Sequence, residues 1–276
     1  GTEEQKKKFI PPVLAGDKIA ALGITESGGG SDVANIQTTA ERDGDYYIVN
    51  GSKCFITSGC RADQLTCAVR TGEEGAHGIS LLVIEADTPG YSTSEKLKKS
   101  GWWASDTAEI FFNNCRVPAA NLIGEENQGF YGIMMNFQAE RLSLAVMANM
   151  TARMALEEAV EYARERKAFG KSLTGFQVNR HKLADMATLV EASTEFTYRV
   201  GAKIGAGVNQ VKEVSMAKNF ACDVSDKVTY DAVQLFGGYG YMRGYTVERL
   251  YRDNRILSIG GGTREIMNEI ISGHIL

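Results

Sequence analysis

What the chain lacks narrows its chemistry first. It has only three histidines, His77, His181 and His274, scattered and without an H-x-x-x-H or Cys/His cluster, so the ligand spacing of a zinc site is missing. Its five cysteines, Cys54, Cys60, Cys67, Cys115 and Cys222, form an odd set with no C-x-x-C pair, which suits a reducing compartment better than a disulfide framework. A basic excess is absent too: with a formal net charge of -4 and a pI near 5.6, the chain lacks the clustered cations that neutralise nucleic-acid phosphates. No apolar run approaches the roughly 20 residues that span a bilayer, and Gly1-Thr2-Glu3-Glu4-Gln5-Lys6-Lys7-Lys8 has no apolar centre of a signal peptide.

Proline is absent after Pro118; the other three, Pro11, Pro12 and Pro89, lie earlier still. That asymmetry marks a change of texture. Between residues 19 and 123 short β-like runs alternate with turn signals. Tyr46–Val49 is expected to end at Asn50-Gly51, Cys54–Thr57 at Ser58-Gly59, Ile79–Ile84 before Asp87-Thr88-Pro89-Gly90, and Ala108–Phe112 at Asn113-Asn114. From residue 124 to 276 the period becomes helical. Leu142, Val146, Met150, Met154, Ala155, Ala159, Tyr162 and Ala163 recur at spacings of three and four. Helices are expected over about 127–167, 172–206, 211–236 and 263–274, which make a four-helix bundle. The class is therefore α+β, an antiparallel β-barrel or sandwich followed by a bundle. Residues 1–18 read as the tail of a preceding helical domain, running into Pro11-Pro12 with no partner of its own.

Three segments carry chemistry. Thr25-Glu26-Ser27-Gly28-Gly29-Gly30-Ser31-Asp32 removes side chains from in front of main-chain N–H groups, as a flexible loop or a ligand cradle would. It is not a P-loop, because no Gly-Lys-Ser/Thr follows. Arg166 closes a helix in Arg164-Glu165-Arg166-Lys167, either as a dipole-matched solvated terminus or as a fork for a diphosphate. Glu140 sits among Phe137, Leu142 and Leu144, where it is either a surface charge paired to Arg141 or a carboxylate whose proton affinity an apolar wall raises, as a base for a carbon acid requires.

Taken together, Thr25-Glu26-x-x-x-Gly-Ser-Asp, Phe55-Ile56-Thr57, Arg166-x-x-Phe169-Gly170 to Gln177, Gln234-x-x-Gly237-Gly238-x-Gly240 and Gly262-Thr263 resemble the acyl-CoA dehydrogenase family, in order and near its spacing. The resemblance implies a middle β-domain and a C-terminal four-helix bundle, with the helical N-terminal domain missing. It implies that Leu22, Ile24, Thr25, Ser31, Phe55, Ile56 and Thr57 bind FAD, Phe55 standing where many members have Trp. Arg166, Phe169 and Gln177 resemble the residues that reach a neighbouring subunit's FAD. Gln234, Leu235, Phe236, Gly237 and Gly238 resemble the adenosine-side loop, with Thr263 and Glu265 also on the cofactor side. Ser31, Tyr131, Gln138, Arg141 and Gly262 match positions near acyl-CoA.

Most members carry Glu immediately before the Gly-Thr pair, and here that position is Gly261. The long-chain and isovaleryl branches place it before an Arg on the long helix, as in Glu140-Arg141, so Glu140 is the expected base. Gly261 then keeps its backbone N–H as a donor to the thioester oxygen. The expected reaction is α,β-dehydrogenation of an acyl-CoA to trans-2-enoyl-CoA. An electron-transfer flavoprotein is the implied acceptor, and a dimer of dimers the implied assembly. The implied location is the bacterial cytoplasm or the mitochondrial matrix. The alternatives are an acyl-CoA oxidase or flavin monooxygenase of the same fold, or a truncated non-catalytic flavin- or CoA-binding subunit. With Gly260 where Tyr is common and Gly261 where Glu is usual, a wider space for long or bulky acyl chains is expected.

Overall fold

The computed structural model describes residues 1–276, which form two compact units, Gly1–Met135 and Asn136–Leu276. None of the helices is long and apolar enough to cross a membrane.

The first unit opens with helix α1 (Glu3–Leu14), followed by strands β1 (Ala20–Gly23), β2 (Thr39–Asp43), β3 (Tyr46–Thr57), β4 (Gln64–Arg70), β5 (Ile79–Glu85), β6 (Tyr91–Thr93), β7 (Thr107–Pro118) and β8 (Leu122–Ile123). They form one sheet in the order β6-β7-β3-β2-β4-β5-β8, with β1 added beside β4. Most neighbours are antiparallel, while β1 and β2 each pair with β4 in parallel. Only Thr39 opposite Arg70 links the β3/β7 half to the β4/β5 half. Tyr47, Val49, Ile56, Leu65, Val69, Leu82, Ile84, Ile110, Phe112 and Val117 from both halves share a single core.

Two expected turns are not turns. Strands β3 and β7 run on through Asn50-Gly51 and Asn113-Asn114, and the ladder between them shifts register at Val49/Gly51 and again at Lys53/Ile56. The turn-prone asparagines face each other across the first bulge: Asn50 Nδ2 donates to Asn114 Oδ1 at 3.2 Å, and the Asn114 N–H donates to Asn50 Oδ1 at 2.8 Å. Side-chain amides thus replace the ladder bonds that a bulge removes. Nor does α1 stop at its prolines or lack a partner. The carbonyls of Pro11 and Pro12 still accept bonds from Ala15 and Asp17, both at 2.9 Å. Gln5 closes a capping box with Thr2 and donates from Nε2 to the carbonyls of Ala120 and Leu122 at 2.7 and 2.6 Å. Phe9 is buried, so the helix is docked on the sheet.

Helix α2 (Gly129–Glu165) starts at the end of the first unit and supplies the longest element of the second. A short hairpin follows, β9 (Lys167–Ala168) and β10 (Lys171–Ser172), then α3 (Gln177–Gly205), α4 (Val211–Phe236), α5 (Gly238–Tyr241), α6 (Thr246–Asn254) and α7 (Arg264–Ile275). Helix α3 begins later than expected because residues 171–175 form the hairpin's second strand and a 3-10 turn. Helices α5 and α6 were not anticipated, the latter contributing Val247 and Leu250 to the core with Ala152, Ala155, Ala159, Met186, Val190, Val224, Val228 and Phe236. The buried seam of α2 is alanine: Ala145, Ala148, Ala152, Ala155, Ala159 and Ala163 have no exposed surface. Small side chains let neighbouring helices approach closely, whereas Val146, Met150 and Met154, expected to face the core, are exposed.

Candidate functional site

In the second unit Glu140, Arg141, Gly261, Gly262 and Thr263 come together at the loop between α6 and α7. Gly261 and Gly262 have φ of 64° and 102°, and Thr263 caps α7 by accepting from the Ile266 N–H at 3.4 Å. Two buried cations hold the loop. Arg141, 3% exposed on α2, donates from Nε to the Gly261 carbonyl at 3.1 Å. Lys218, 1% exposed on α4, donates from Nζ to the Gly260 carbonyl at 2.7 Å and to the Gly262 carbonyl. Three successive carbonyls are thereby turned toward cations.

Glu140 is half-buried beside this loop. A Cβ built on Gly261 would lie 3.6 Å from Glu140 Oε1 and 2.6 Å from Leu144 Cδ1. The Glu140 carboxylate forms neither a hydrogen bond nor an ion pair; adjacent side chains on a helix do not face each other, and Arg141 is turned to the Gly261 carbonyl and the Phe137 ring, 5.6 Å away. Burial raises its proton affinity, more than the charges of Lys218 and Arg141 lower it. Two residues earlier on the same helix, Gln138 presents a buried Oε1 that finds no partner. At residue 261 Leu144 takes the space a side chain there would need. At Gly260 an added Cβ would meet only the Ile256 carbonyl, at 3.6 Å.

Elsewhere in this unit Arg166 is exposed just past α2, has no carboxylate partner and lies with its guanidinium 5.7 Å from the Tyr239 ring centre. Phe169, 96% exposed, forms the turn of the β9–β10 hairpin with Gly170. Gln177 is exposed at the start of α3. Gln234, Gly237 and Gly238 are exposed at the end of α4, where Gly237 has φ 59° and ψ -134°, a conformation that a Cβ would oppose. Leu235 and Phe236 instead point into the core, Phe236 stacked on Tyr162 at 4.0 Å. Glu265 and His181 are exposed.

The first unit organises its own group of candidates. Glu26, in the Gly-rich turn, accepts from the N–H groups of Gln37 and Thr38 at 2.6 and 3.0 Å and pairs with the buried Lys53 Nζ at 2.6 Å. Lys53 also donates to the Ile24 carbonyl at 3.2 Å, and Cys54 N–H to the Thr25 carbonyl at 2.9 Å, so the turn is fastened to β3. Burial works to raise the Glu26 proton affinity, but the bonds from Lys53 and Thr38 and the Lys53 charge hold it below the ordinary carboxyl range. Past this clamp the second bulge throws Phe55 outward, at φ 57° and 69% exposed, with Thr57 exposed beyond it. Leu22 and Ser31 are exposed, and Thr25 is partly so, while Ile24 and Ile56 are core residues. Tyr131 is exposed, its ring 6.0 Å from that of His77.

Sequence reasoning missed Lys53 and Lys218, and placed Leu144 only in the apolar wall around Glu140. Lys218 had a legible signal: it is the one cation among the buried positions of α4, beside Val214, Ser215, Ala217, Ala221 and Cys222.

The comparisons agree with this architecture. The acyl-CoA dehydrogenase middle-domain family model matches residues 21–115, and the acyl-CoA dehydrogenase C-terminal-domain model matches residues 127–276. All of this chain aligns at 44% identity with an acyl-CoA dehydrogenase of Bacillus subtilis (strain 168), covering 73% of it. The mitochondrial long-chain specific acyl-CoA dehydrogenase of Sus scrofa is 42% identical, again over the whole chain and 65% of the relative. The crystal structure of an acyl-CoA dehydrogenase from Geobacillus kaustophilus superimposes with a TM-score of 0.98 at 46% identity, over all of this chain and 73% of that one. The chain belongs to the acyl-CoA dehydrogenase family. Members of that family are FAD-dependent oxidoreductases, those of fatty acid β-oxidation among them.

Proposed function

We propose that this protein dehydrogenates an acyl-CoA thioester to its trans-2-enoyl-CoA, with Glu140 as the base. The observation that carries this reading is the Glu140 carboxylate, half-buried, without a hydrogen-bond or ion-pair partner, and raised in proton affinity against the Gly260–Thr263 loop. A carboxylate with no partner to surrender is free to take the α-proton, and burial brings its basicity nearer to neutrality. The Gly261 N–H would donate to the thioester oxygen and stabilise the charge that develops there as the proton leaves. Gln138, Arg141, Gly262, Ser31 and Tyr131 would contact the acyl-CoA.

Residues of both units suit FAD. Phe55 keeps a strained backbone and an exposed ring at the bulge near the end of β3, a cost that a planar ligand would explain. Arg166 has a guanidinium without a carboxylate partner, as a diphosphate ligand requires. In the first unit Leu22, Ile24, Thr25, Ser31, Phe55, Ile56 and Thr57, and in the second Thr263 and Glu265, are the proposed cofactor contacts. Arg166, Phe169, Gln177 and the Gln234–Gly238 segment would reach the cofactor of a neighbouring subunit. Ile24, Ile56, Leu235 and Phe236 can do so only through their main chain, because their side chains pack inward. Accepting the β-hydride with its electron pair is the chemistry FAD supplies when bound.

An electron-transfer flavoprotein is the proposed acceptor, and a homo-oligomer, a dimer of dimers, the proposed assembly. Exposed Val146, Met147, Met150, Met154 and Tyr198 on α2 and α3 support the assembly, since an apolar second face on a helix calls for a further packing partner. The proposed compartment is reducing, the bacterial cytoplasm or the mitochondrial matrix, consistent with five free cysteines. The deciding experiment is the absorption spectrum of the purified protein before and after anaerobic acyl-CoA addition. A flavin spectrum that bleaches supports the proposal. A protein that cannot be loaded with FAD, or a bound flavin indifferent to acyl-CoA of every chain length, rejects it.

A further inference from the structure

The peptide groups of the Gly260–Thr263 loop are arranged so that their two ends have different fates. The carbonyls of Gly260 and Gly262 accept from Lys218 Nζ and that of Gly261 from Arg141 Nε. The amide N–H groups on the other ends of the same three peptide units, those of Gly261, Gly262 and Thr263, take no partner within the chain, whereas the Gly260 N–H donates to Ile256 at 2.9 Å. An amide whose oxygen is bonded to a cation is polarised along its length, so its N–H becomes a stronger donor. Three consecutive free N–H groups, each backed by a buried cation on its carbonyl, make a donor array on this loop.

Lys218 supplies two of the three bonds. It is almost fully buried on α4, between Ser215 and Cys222 of the same face, and has no carboxylate within ion-pair distance. Burying an unpaired ammonium in a helical core is costly, and a methionine of the same length would fill the space without that cost. Its retention at the carbonyl side of this loop is therefore best explained by what it does to the loop.

We propose that Lys218 is a positioning residue for proton abstraction: by holding the carbonyls of Gly260 and Gly262 it aims and polarises the N–H groups of Gly261 and Thr263 as donors to the thioester carbonyl oxygen. This rests on the acyl-CoA reading above. Lys218 touches neither substrate nor Glu140; it acts through the peptide units. Its effect is larger in the transition state than in the bound substrate, because the oxygen gains negative charge only as the α-proton leaves.

The test compares the FAD-loaded protein with Lys218→Met and Lys218→Arg. One readout is the split between kcat and KM. The other is the infrared carbonyl band of acyl-CoA labelled with carbon-13 at C1, bound in a Glu140→Gln background so that it does not react. The expected result is a bound carbonyl band at lower frequency than that of the free thioester when Lys218 is present. In Lys218→Met the band moves back toward the free position and kcat falls about 100- to 1,000-fold with KM changed only a few-fold, as for loss of one oxyanion donor. Lys218→Arg, which keeps a cation, recovers part of both. An unshifted band with Lys218 in place overturns the proposal even if Lys218→Met does not fold. So does a Lys218→Met protein with unchanged kcat, or one whose kcat falls while the band stays where it was. If the unsubstituted protein dehydrogenates no acyl-CoA, the parent reading fails and this one with it. If it turns over normally and the band ignores Lys218, only the assignment to Lys218 fails.

Discussion

Glu140 and Gly261 are 121 positions apart in sequence, yet Glu140 Oε1 lies 3.6 Å from the point where a side chain on Gly261 would begin. A carboxylate on α2 therefore stands beside the loop position from which most family members are expected to project theirs. The loop position itself is closed by Leu144, 2.6 Å from that same point.

Replacing the base should separate chemistry from folding. Glu140→Gln is expected to retain flavin and to lose several decades of kcat, which rapid-mixing bleaching with acyl-CoA measures. The pH dependence follows from burial, which raises the Glu140 proton affinity above the ordinary value of 4.5. Only the ionised form abstracts a proton, so kcat/KM should climb with pH through a range above 4.5. That rising limb should be missing from residual Glu140→Gln activity. The sign for stability is opposite: ionising a carboxyl whose folded pKa is raised costs folding free energy as pH rises through that value. Glu140→Gln should accordingly unfold no more easily than the parent at neutral pH.

Restoring a side chain at residue 261 should be resisted by the fold. Gly261→Ala places a Cβ at φ 64° and against Leu144, with an expected loss of about 1–3 kcal/mol for the left-handed backbone and more for the contact. Adding Leu144→Ala should relieve only the steric part, so the double variant is less destabilised than the sum of the two single changes. Urea unfolding of the three variants measures the coupling.

Chain-length preference should depend on Gly260, where a Cβ meets only the Ile256 carbonyl at 3.6 Å. Gly260→Tyr is expected to fold and to shift the kcat/KM optimum toward shorter acyl chains. Each methylene that no longer finds a place would forfeit about 0.8 kcal/mol. A chain-length series in parent and variant checks this, and a parent optimum at four carbons would reject the premise of a roomy site.

The Glu26–Lys53 pair should be sensitive to single but not double replacement. Lys53→Met leaves a buried carboxylate without its cation and should cost about 3–5 kcal/mol, while Lys53→Met with Glu26→Gln, which keeps an acceptor for the Gln37 and Thr38 N–H groups, should recover most of it. Because the Glu26 carboxyl is held low, its contribution is complete above the ordinary carboxyl range and fades as pH falls through the depressed value. Acid unfolding followed by circular dichroism should show that loss in the parent and not in the double variant.

Arg166→Ala should weaken FAD binding by about 10- to 100-fold, the equivalent of one charge-assisted hydrogen bond, with unfolding of the apoprotein unchanged. Titration of apoprotein with FAD is the measurement. If the neighbouring-subunit reading is right, the loss should accompany FAD binding only in the oligomer, which size-exclusion chromatography of the loaded protein separates.

Much of the fold was legible because period and composition are local quantities. The loss of proline after Pro118 and the change from alternating to helical spacing divide the β-unit from the helices. The errors have a common cause. Asn50-Gly51 and Asn113-Asn114 carry turn chemistry, but the pairing of β3 with β7 absorbs them as a bulge in which the asparagines bond each other across 64 residues. Val146, Met150 and Met154 have core chemistry, yet the core takes the alanines beside them, because close helix approach favours the smaller side chain.

The sequence by itself determined the α+β class, the family's motif order and the presence of a glycine at position 261 with a carboxylate at position 140, all of which are statements about residue identity and spacing. Only the tertiary structure decided what Arg141 does with its charge. A neighbour in sequence would make it the partner of Glu140, but the close approach of α2 to the Gly260–Thr263 loop offers it the Gly261 carbonyl instead, leaving the carboxylate unpaired. It also decided that Leu144 fills the space at Gly261 and that Lys218 lies buried behind the loop, since both depend on contacts between segments far apart in the chain, to which local periodicity is blind.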